Sequence, residues 1–77
     1  MRRLPPASGR EAVKALRRVG FEIVGRKGSH IRLKKKTDRQ VFIVIVPDHR
    51  ELARGTLISI IQQSGLTREE FLKMLKH

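Results

Sequence analysis

The sequence predicts a small α+β domain whose elements follow the order αβββα, with the last helical part in two pieces. Two capping-box patterns, SGRE at residues 8–11 and TREE at residues 67–70, each precede apolar residues with helical spacing. Between them, from residue 21 to residue 46, apolar residues alternate or run continuously over strand lengths, interrupted by polar turns. Because short connections join antiparallel strands, we expect one three-stranded antiparallel sheet packed on the helices on one face.

The bounds of the helices follow from their start and stop residues. The first helix is expected over about residues 9–19, with Ser8 as its N-cap and Gly20 as its stop. The second is expected to follow Thr56 as N-cap and to stop at Gly65. The third follows the second capping box and closes the chain.

The first two strands are predicted from their alternation of side chains. The first is expected from Phe21 to about residue 26, with Phe21 and Ile23 on one face. In the second, SHIRLKK at residues 29–35, Ile31 and Leu33 point to the core. The opposite face of the second strand then carries His30, Arg32 and Lys34.

The third strand, QVFIVIV at residues 40–46, is apolar on both faces and ends before Pro47. In a meander of three strands it lies at one edge of the sheet. An exposed apolar edge associates readily with other chains. We therefore expect a partner or a second copy to cover it.

Composition limits the classes of function. The 77 residues suit a single domain, residues 1–77, and 18 Lys and Arg against seven Asp and Glu give a net charge of +11. This excess predicts binding to polyanions, nucleic acid above all, although a ribosomal-type or simply soluble basic protein has the same composition. The absence of cysteine excludes disulfides and suits the cytoplasm. No apolar run is long enough to predict a membrane span or a signal peptide.

The segment GRKGSHIRLKKK, residues 25–36, holds the best candidate for chemistry. The sequence has no paired-acid, HxxxH or Walker pattern, so metal-free acid–base chemistry by His30 is the remaining option. RNA carries its own nucleophile, the 2′-hydroxyl, which a base can deprotonate beside cations such as Arg32 and Lys34. The simpler alternative is an ordinary solvated turn and strand with a surface histidine.

Two longer segments resemble the HicA toxin family, the YcfA-like mRNA interferases. LPPASGREAVKALRRVGFEIVGRKGSH is similar to the family's opening, with its Gly-Ser-His before the second strand. VPDHRELARGTLISIIQQSGLTREEF is similar to the family's Pro-x-His and Gly-Thr-Leu pattern. The resemblance covers residues 4–71, nearly the whole chain.

The resemblance implies a double-stranded-RNA-binding-domain-like fold and a type II toxin that cuts messenger RNA without the ribosome or a cofactor. It places the catalytic histidine at His30. It also implies a HicB-type antitoxin as partner, and an oligomer formed with this antitoxin is compatible with the resemblance. Around this histidine we expect RNA contacts from Arg26, Lys27, Gly28, Ser29, Arg32, Lys34 and Lys35. Two other classes stay open: a non-catalytic module that binds RNA by shape, and an interaction protein whose basic surface meets an acidic partner.

Overall fold

A computed structural model of the chain describes residues 4–76. The elements are α1 (Gly9–Arg18), β1 (Glu22–Lys27), β2 (His30–Lys36), β3 (Val41–Pro47), α2 (Arg54–Ser64) and α3 (Arg68–Leu75). The strands form one antiparallel sheet in the order β1-β2-β3. The predicted α+β class is confirmed, and the arrangement is consistent with a double-stranded-RNA-binding-domain-like fold. The predicted domain, residues 1–77, includes residues 1–3 and 77, which lie outside the described range.

Both predicted capping boxes are present. The Ser8 hydroxyl accepts the Glu11 N–H at 3.0 Å, and the Glu11 carboxylate accepts the Ser8 N–H at 2.8 Å. Thr67 and Glu70 repeat this exchange at the start of α3, at 3.1 and 2.8 Å. Each box satisfies N–H groups that a helix start would otherwise leave without a partner. Within residues 4–76, no helix has the length and apolar character needed to cross a membrane.

The start of α2 differs from the prediction. The helix begins at Arg54, so Thr56 lies inside its first turn and is not the N-cap. The N-cap is Ala53, whose backbone is extended and whose side chain makes no capping bond. The preceding residue, Leu52, is buried and its N–H donates to the Ala7 carbonyl at 2.8 Å. This tertiary anchor ends the extended segment there and overrides the local preference of the threonine hydroxyl.

The core lies between one face of the sheet and the helices. Ile31 and Leu33 of β2 are buried opposite Val46 and Val44 of β3. α2 and α1 pack against β3, and α3 packs against α1. The other large side chains that are almost fully buried in this core are Phe21, Phe71, Leu16, Leu57 and Ile60.

The register is consistent with the prediction that Phe21 and Ile23 lie on one face, because Ile23 is paired with the buried Leu33 of β2. Phe21 is buried just before β1, but Ile23 within β1 is 49% exposed. The register with β2 shifts between Ile23 and Gly25, which is the mark of a β-bulge. The edge position of β1 leaves Ile23 in solvent, and Val24, which lies at the bulge, is exposed as well.

The outer edge of β3 is partly covered from within the chain. The Ile45 N–H donates to the Gln63 side-chain oxygen of α2 at 3.1 Å, and the Gln63 amide donates to Ser59 at 2.8 Å. A side-chain acceptor therefore takes one of the backbone donors that an edge strand presents. Val41 and Ile45 stay exposed, at 49% and 38%.

Gly65 provides a stability test. It ends α2 with φ +74°, and a Cβ built on it would lie 2.5 Å from Cε1 of Phe42. We expect Gly65→Ala to lower the free energy of unfolding by about 1–3 kcal/mol, from left-handed strain and the displaced ring. Gly55→Ala is the matched control, because a Cβ there meets no atom within 4 Å and alanine favours the helix. Urea unfolding gives both values, and equal stability of the two variants would contradict the packing role.

Candidate active site

The solvent face of the sheet carries a central row of basic side chains. On β2, exposed residues alternate with buried Ile31 and Leu33, as the sequence predicted. The exposed residues of β2 that share the outer face are His30, Arg32, Lys34 and Lys36.

The two neighbouring strands give this row different surroundings. Lys27 of β1 lies opposite His30, and on the other side Pro47 of β3 is the partner of the same histidine. Further along, Ile45 of β3 lies opposite Arg32. The outer face is therefore cationic in its centre and apolar along β3.

His30 begins β2 directly after a tight turn formed by Gly28 and Ser29. Gly28 has φ +58°, a left-handed conformation that glycine adopts without strain. The Ser29 carbonyl accepts the Asp48 N–H at 2.6 Å, so the turn is joined to the end of β3. The His30 side chain is exposed beside this junction.

Arg26 lies against the same turn. Its Nε donates to the Gly28 carbonyl at 3.1 Å, and its Nη2 donates to Asp48 Oδ2 at 2.7 Å. The Asp48 side chain is only 14% exposed. The guanidinium that was expected to contact RNA is therefore engaged within the chain.

The start of α1 meets the same carboxylate. The Gly9 N–H donates to the His49 carbonyl at 2.9 Å, and a Cβ on Gly9 would collide with the Pro47 carbonyl oxygen. Only glycine allows this close approach, which brings Arg10 Nε to 3.6 Å from Asp48 Oδ1. The carboxylate thus lies between two guanidinium groups.

The hydrogen bond from Arg26 is the largest influence that holds the pKa of Asp48 below its ordinary value. The charges of Arg26 and Arg10 act in the same direction, and desolvation opposes them. Asp48 is therefore an anion at neutral pH. Asp48 and Arg10 were not among the site residues predicted from the sequence. The available signal was one acidic residue directly after the strand-ending Pro47, in a chain with a large excess of cations.

Lys35 is on the other face of the sheet from His30. It is half-buried, and its Nζ lies 5.9 Å from the centroid of the Phe21 ring. Its charge also contributes to the lowered pKa of Glu70, whose main cause is the hydrogen bond from the Thr67 backbone. The structure thus brings Lys27, Arg32 and Lys34 together with His30 on one face but separates Lys35 from them.

The described residues show no cluster of three or more His, Asp or Glu side chains suited to a metal ion. The site consists instead of one imidazole, the cations of the outer face and the backbone of a tight turn. Such a set can exchange protons and stabilise negative charge.

These features define a class: a small, strongly basic, double-stranded-RNA-binding-domain-like protein with a histidine among cations on its open sheet face. Residues 9–66 match the family model described as the HicA toxin of bacterial toxin–antitoxin systems, which confirms the resemblance. The chain belongs to the HicA toxin family, and this membership implies an antitoxin partner. Among curated proteins, none matches the chain.

The lowered pKa of Asp48 predicts a pH-dependent contribution to stability. A carboxyl group with a depressed folded-state pKa stabilises the fold above its unfolded pKa, and this stabilisation is lost as the pH falls through the folded value. Asp48→Asn should therefore lower the free energy of unfolding at neutral pH, and its difference from the wild type should shrink below about pH 4. Urea titrations across this range test it, with exposed Asp38→Asn as the control. A difference in the free energy of unfolding that is the same at all pH values would contradict an ionic origin of the stabilisation by Asp48.

Proposed function

We propose that the chain is a type II toxin that cuts messenger RNA, without the ribosome and without a metal ion, and that His30 is its general acid–base group. The proposal is supported above all by the position of His30, exposed beside a tight turn and opposite Lys27 on a cationic face. Membership of the HicA toxin family supports the same function. Because messenger RNA is the proposed substrate, we place the reaction in the cytoplasm.

The proposed reaction uses the 2′-hydroxyl of RNA as nucleophile. His30 removes its proton, the 2′-oxygen attacks phosphorus, and the bond from phosphorus to the 5′-oxygen breaks. Cations on the outer face stabilise the negative charge that grows on the phosphate oxygens. The departing 5′-oxygen takes a proton from water or a neighbouring lysine. The products are a 2′,3′-cyclic phosphate and a 5′-hydroxyl, and hydrolysis converts the cyclic end to a 3′-phosphate.

Within the proposed site, Lys27, Arg32 and Lys34 contact phosphates, and the backbone of Gly28 and Ser29 lies closest to the scissile group. These side chains share the face of His30 and are exposed. The chain has no Tyr or Trp, so base stacking contributes little and phosphate contacts dominate the affinity. Arg26 and Lys35 do not belong to this set, because one is held by Asp48 and the other faces the helices.

The partner is proposed to be a HicB-type antitoxin that covers the outer face of the sheet. This face offers two kinds of contact surface, the cations of β2 and the apolar residues of β3. A less basic partner competes with RNA for the first and buries the second.

The second candidate function is that of a module that grips RNA by shape without cutting it. The double-stranded-RNA-binding-like architecture favours it, since such domains contact backbone and 2′-hydroxyl groups. A binder yields no fragments, so the products separate the two functions.

We expect His30→Ala to reduce RNA cleavage in EDTA by about 10²- to 10⁴-fold, the usual contribution of an acid–base group. The exposed position of the side chain should leave the fold intact. Arg39→Ala, in the connection at the far end of β2, serves as the control and should cleave like the wild type. An RNA with one 2′-deoxynucleotide at the cleaved position should resist the wild type. Equal cleavage by His30→Ala would remove histidine from the mechanism.

Replacing both Arg32 and Lys34 by Gln should weaken RNA binding and flatten the slope of log K against log salt by about 1.4, at roughly 0.7 per single-strand contact. The matched variant replaces Lys14 and Arg17, two exposed cations of α1. This second pair should leave the slope unchanged. The reverse result would place the RNA along α1 and not on the sheet.

The complex with the antitoxin should inhibit cleavage stoichiometrically and survive about 0.5 M salt, because apolar burial persists when charge is screened. Gel filtration of the co-expressed pair at low and high salt measures this, with cleavage assayed on the same fractions. In the complex, His30 should be protected from diethylpyrocarbonate. Inhibition with a reactive His30 would mean that the antitoxin acts without covering the site.

A further inference from the structure

We infer that Asp48 and Arg26 are positioning residues that hold the turn carrying His30, and that neither of them binds RNA. This inference rests on the proposed function and deepens it. It concerns the two side chains that join the β1–β2 turn to the end of β3.

The turn before His30 is attached at both of its residues. The Gly28 carbonyl accepts from Arg26 Nε at 3.1 Å, and the Ser29 carbonyl accepts from the Asp48 N–H at 2.6 Å. His30 itself is paired between Lys27 and Pro47. The backbone from which the imidazole projects is therefore held by bonds that neighbouring residues make to the turn.

Asp48 is the anchor of this arrangement. Its side chain is largely buried, and its two oxygens face Arg26 of β1 and Arg10 of α1. A carboxylate held in this way fixes the Arg26 guanidinium, which in turn holds the Gly28 carbonyl. One residue thus connects the start of α1, the end of β3 and the β1–β2 turn.

The geometry requires a guanidinium and not only a positive charge. Arg26 uses Nε for the Gly28 carbonyl and Nη2 for Asp48, a fork of two donors with fixed separation. A lysine ammonium is a single point of charge on a flexible stem and cannot reproduce this fork. Arg26→Lys therefore retains the charge that an RNA clamp would need but loses the support of the turn.

An electrostatic role and a positioning role of Asp48 predict different effects of Asp48→Asn. Its negative charge opposes RNA binding in the vicinity, so a purely electrostatic role predicts that Asp48→Asn tightens binding. A positioning role predicts that the same change lowers kcat, because misplacing a reacting group by about 1 Å costs up to roughly 10²-fold in rate. The two roles thus differ in the parameter that changes.

The experiment compares Arg26→Lys and Asp48→Asn with two controls that make the same chemical change at exposed sites in the β2–β3 connection, Arg39→Lys and Asp38→Asn. Steady-state cleavage of a short RNA, with the RNA in excess over the protein, gives kcat and KM. We expect kcat to fall about 10- to 100-fold in both site variants with KM no higher than in the wild type, and the controls to match the wild type. Amide ¹⁵N relaxation at residues 28–30 should show increased motion in the site variants alone.

Wild-type kcat in Arg26→Lys, or a lower KM with unchanged kcat in Asp48→Asn, would overturn the positioning role. A higher KM with unchanged kcat in Asp48→Asn would also overturn the positioning role. If the wild type shows no cleavage that depends on His30, the proposed function fails, and relaxation then decides the inference separately. In that case, ¹⁵N relaxation at residues 28–30 that is the same in Arg26→Lys as in the wild type would overturn the inference.

Discussion

The attachment of the segment 47–49 to two other parts of the chain is the constraint on which the site depends. The Asp48 N–H bonds to the Ser29 carbonyl, and the His49 carbonyl accepts the Gly9 N–H. Just beyond, the Leu52 N–H bonds to the Ala7 carbonyl. These backbone bonds join the end of β3, the β1–β2 turn and the start of α1, which are distant in sequence.

This junction explains how so small a domain presents an ordered site on the outer face of the sheet, which no helix of the described residues covers. A chain of 77 residues buries only about 60% of its unfolded surface, so its core alone gives limited rigidity. The His30 side chain is exposed on the outer face and does not pack in that core. Bonds at the junction add to the strand pairing of His30, and Asp48 supplies them with both its backbone and its carboxylate. The same carboxylate lies beside the guanidinium groups of Arg10 and Arg26, whose side chains are 84% and 54% exposed.

The elements predicted correctly were those that are determined by patterns of neighbouring residues in the sequence. The two capping boxes and the alternation of β2 are patterns within a few residues, and the structure reproduces them. The exposure of Ile23 was not predictable in this way, because it results from the edge position of β1, over which no helix within residues 4–76 packs closely. The start of α2 was missed because a buried Leu52 determines it and not the local hydroxyl.

In the candidate site, too, the features set by local sequence patterns were predicted and those that depend on long-range contacts were not. Alternation placed His30, Arg32 and Lys34 on one face, and the register adds Lys27 to them. The roles of Arg26 and Asp48 were not predictable, because their contact joins residues 22 positions apart and needs the sheet to be formed. A basic residue near a histidine looks like a phosphate contact in sequence whether or not a carboxylate already holds it.

The central claim is that RNA lies against His30 on the outer face of the sheet, and nuclear magnetic resonance of the histidine rings tests it most directly. The ligand is an RNA made uncleavable by a 2′-deoxynucleotide at the scissile position. Titration should shift the ring signals of His30 strongly and the amides of β2 with them, while the amides along the exposed face of α1 change little. Shifts confined to α1, with the His30 ring signals unmoved at saturation, would contradict the claim.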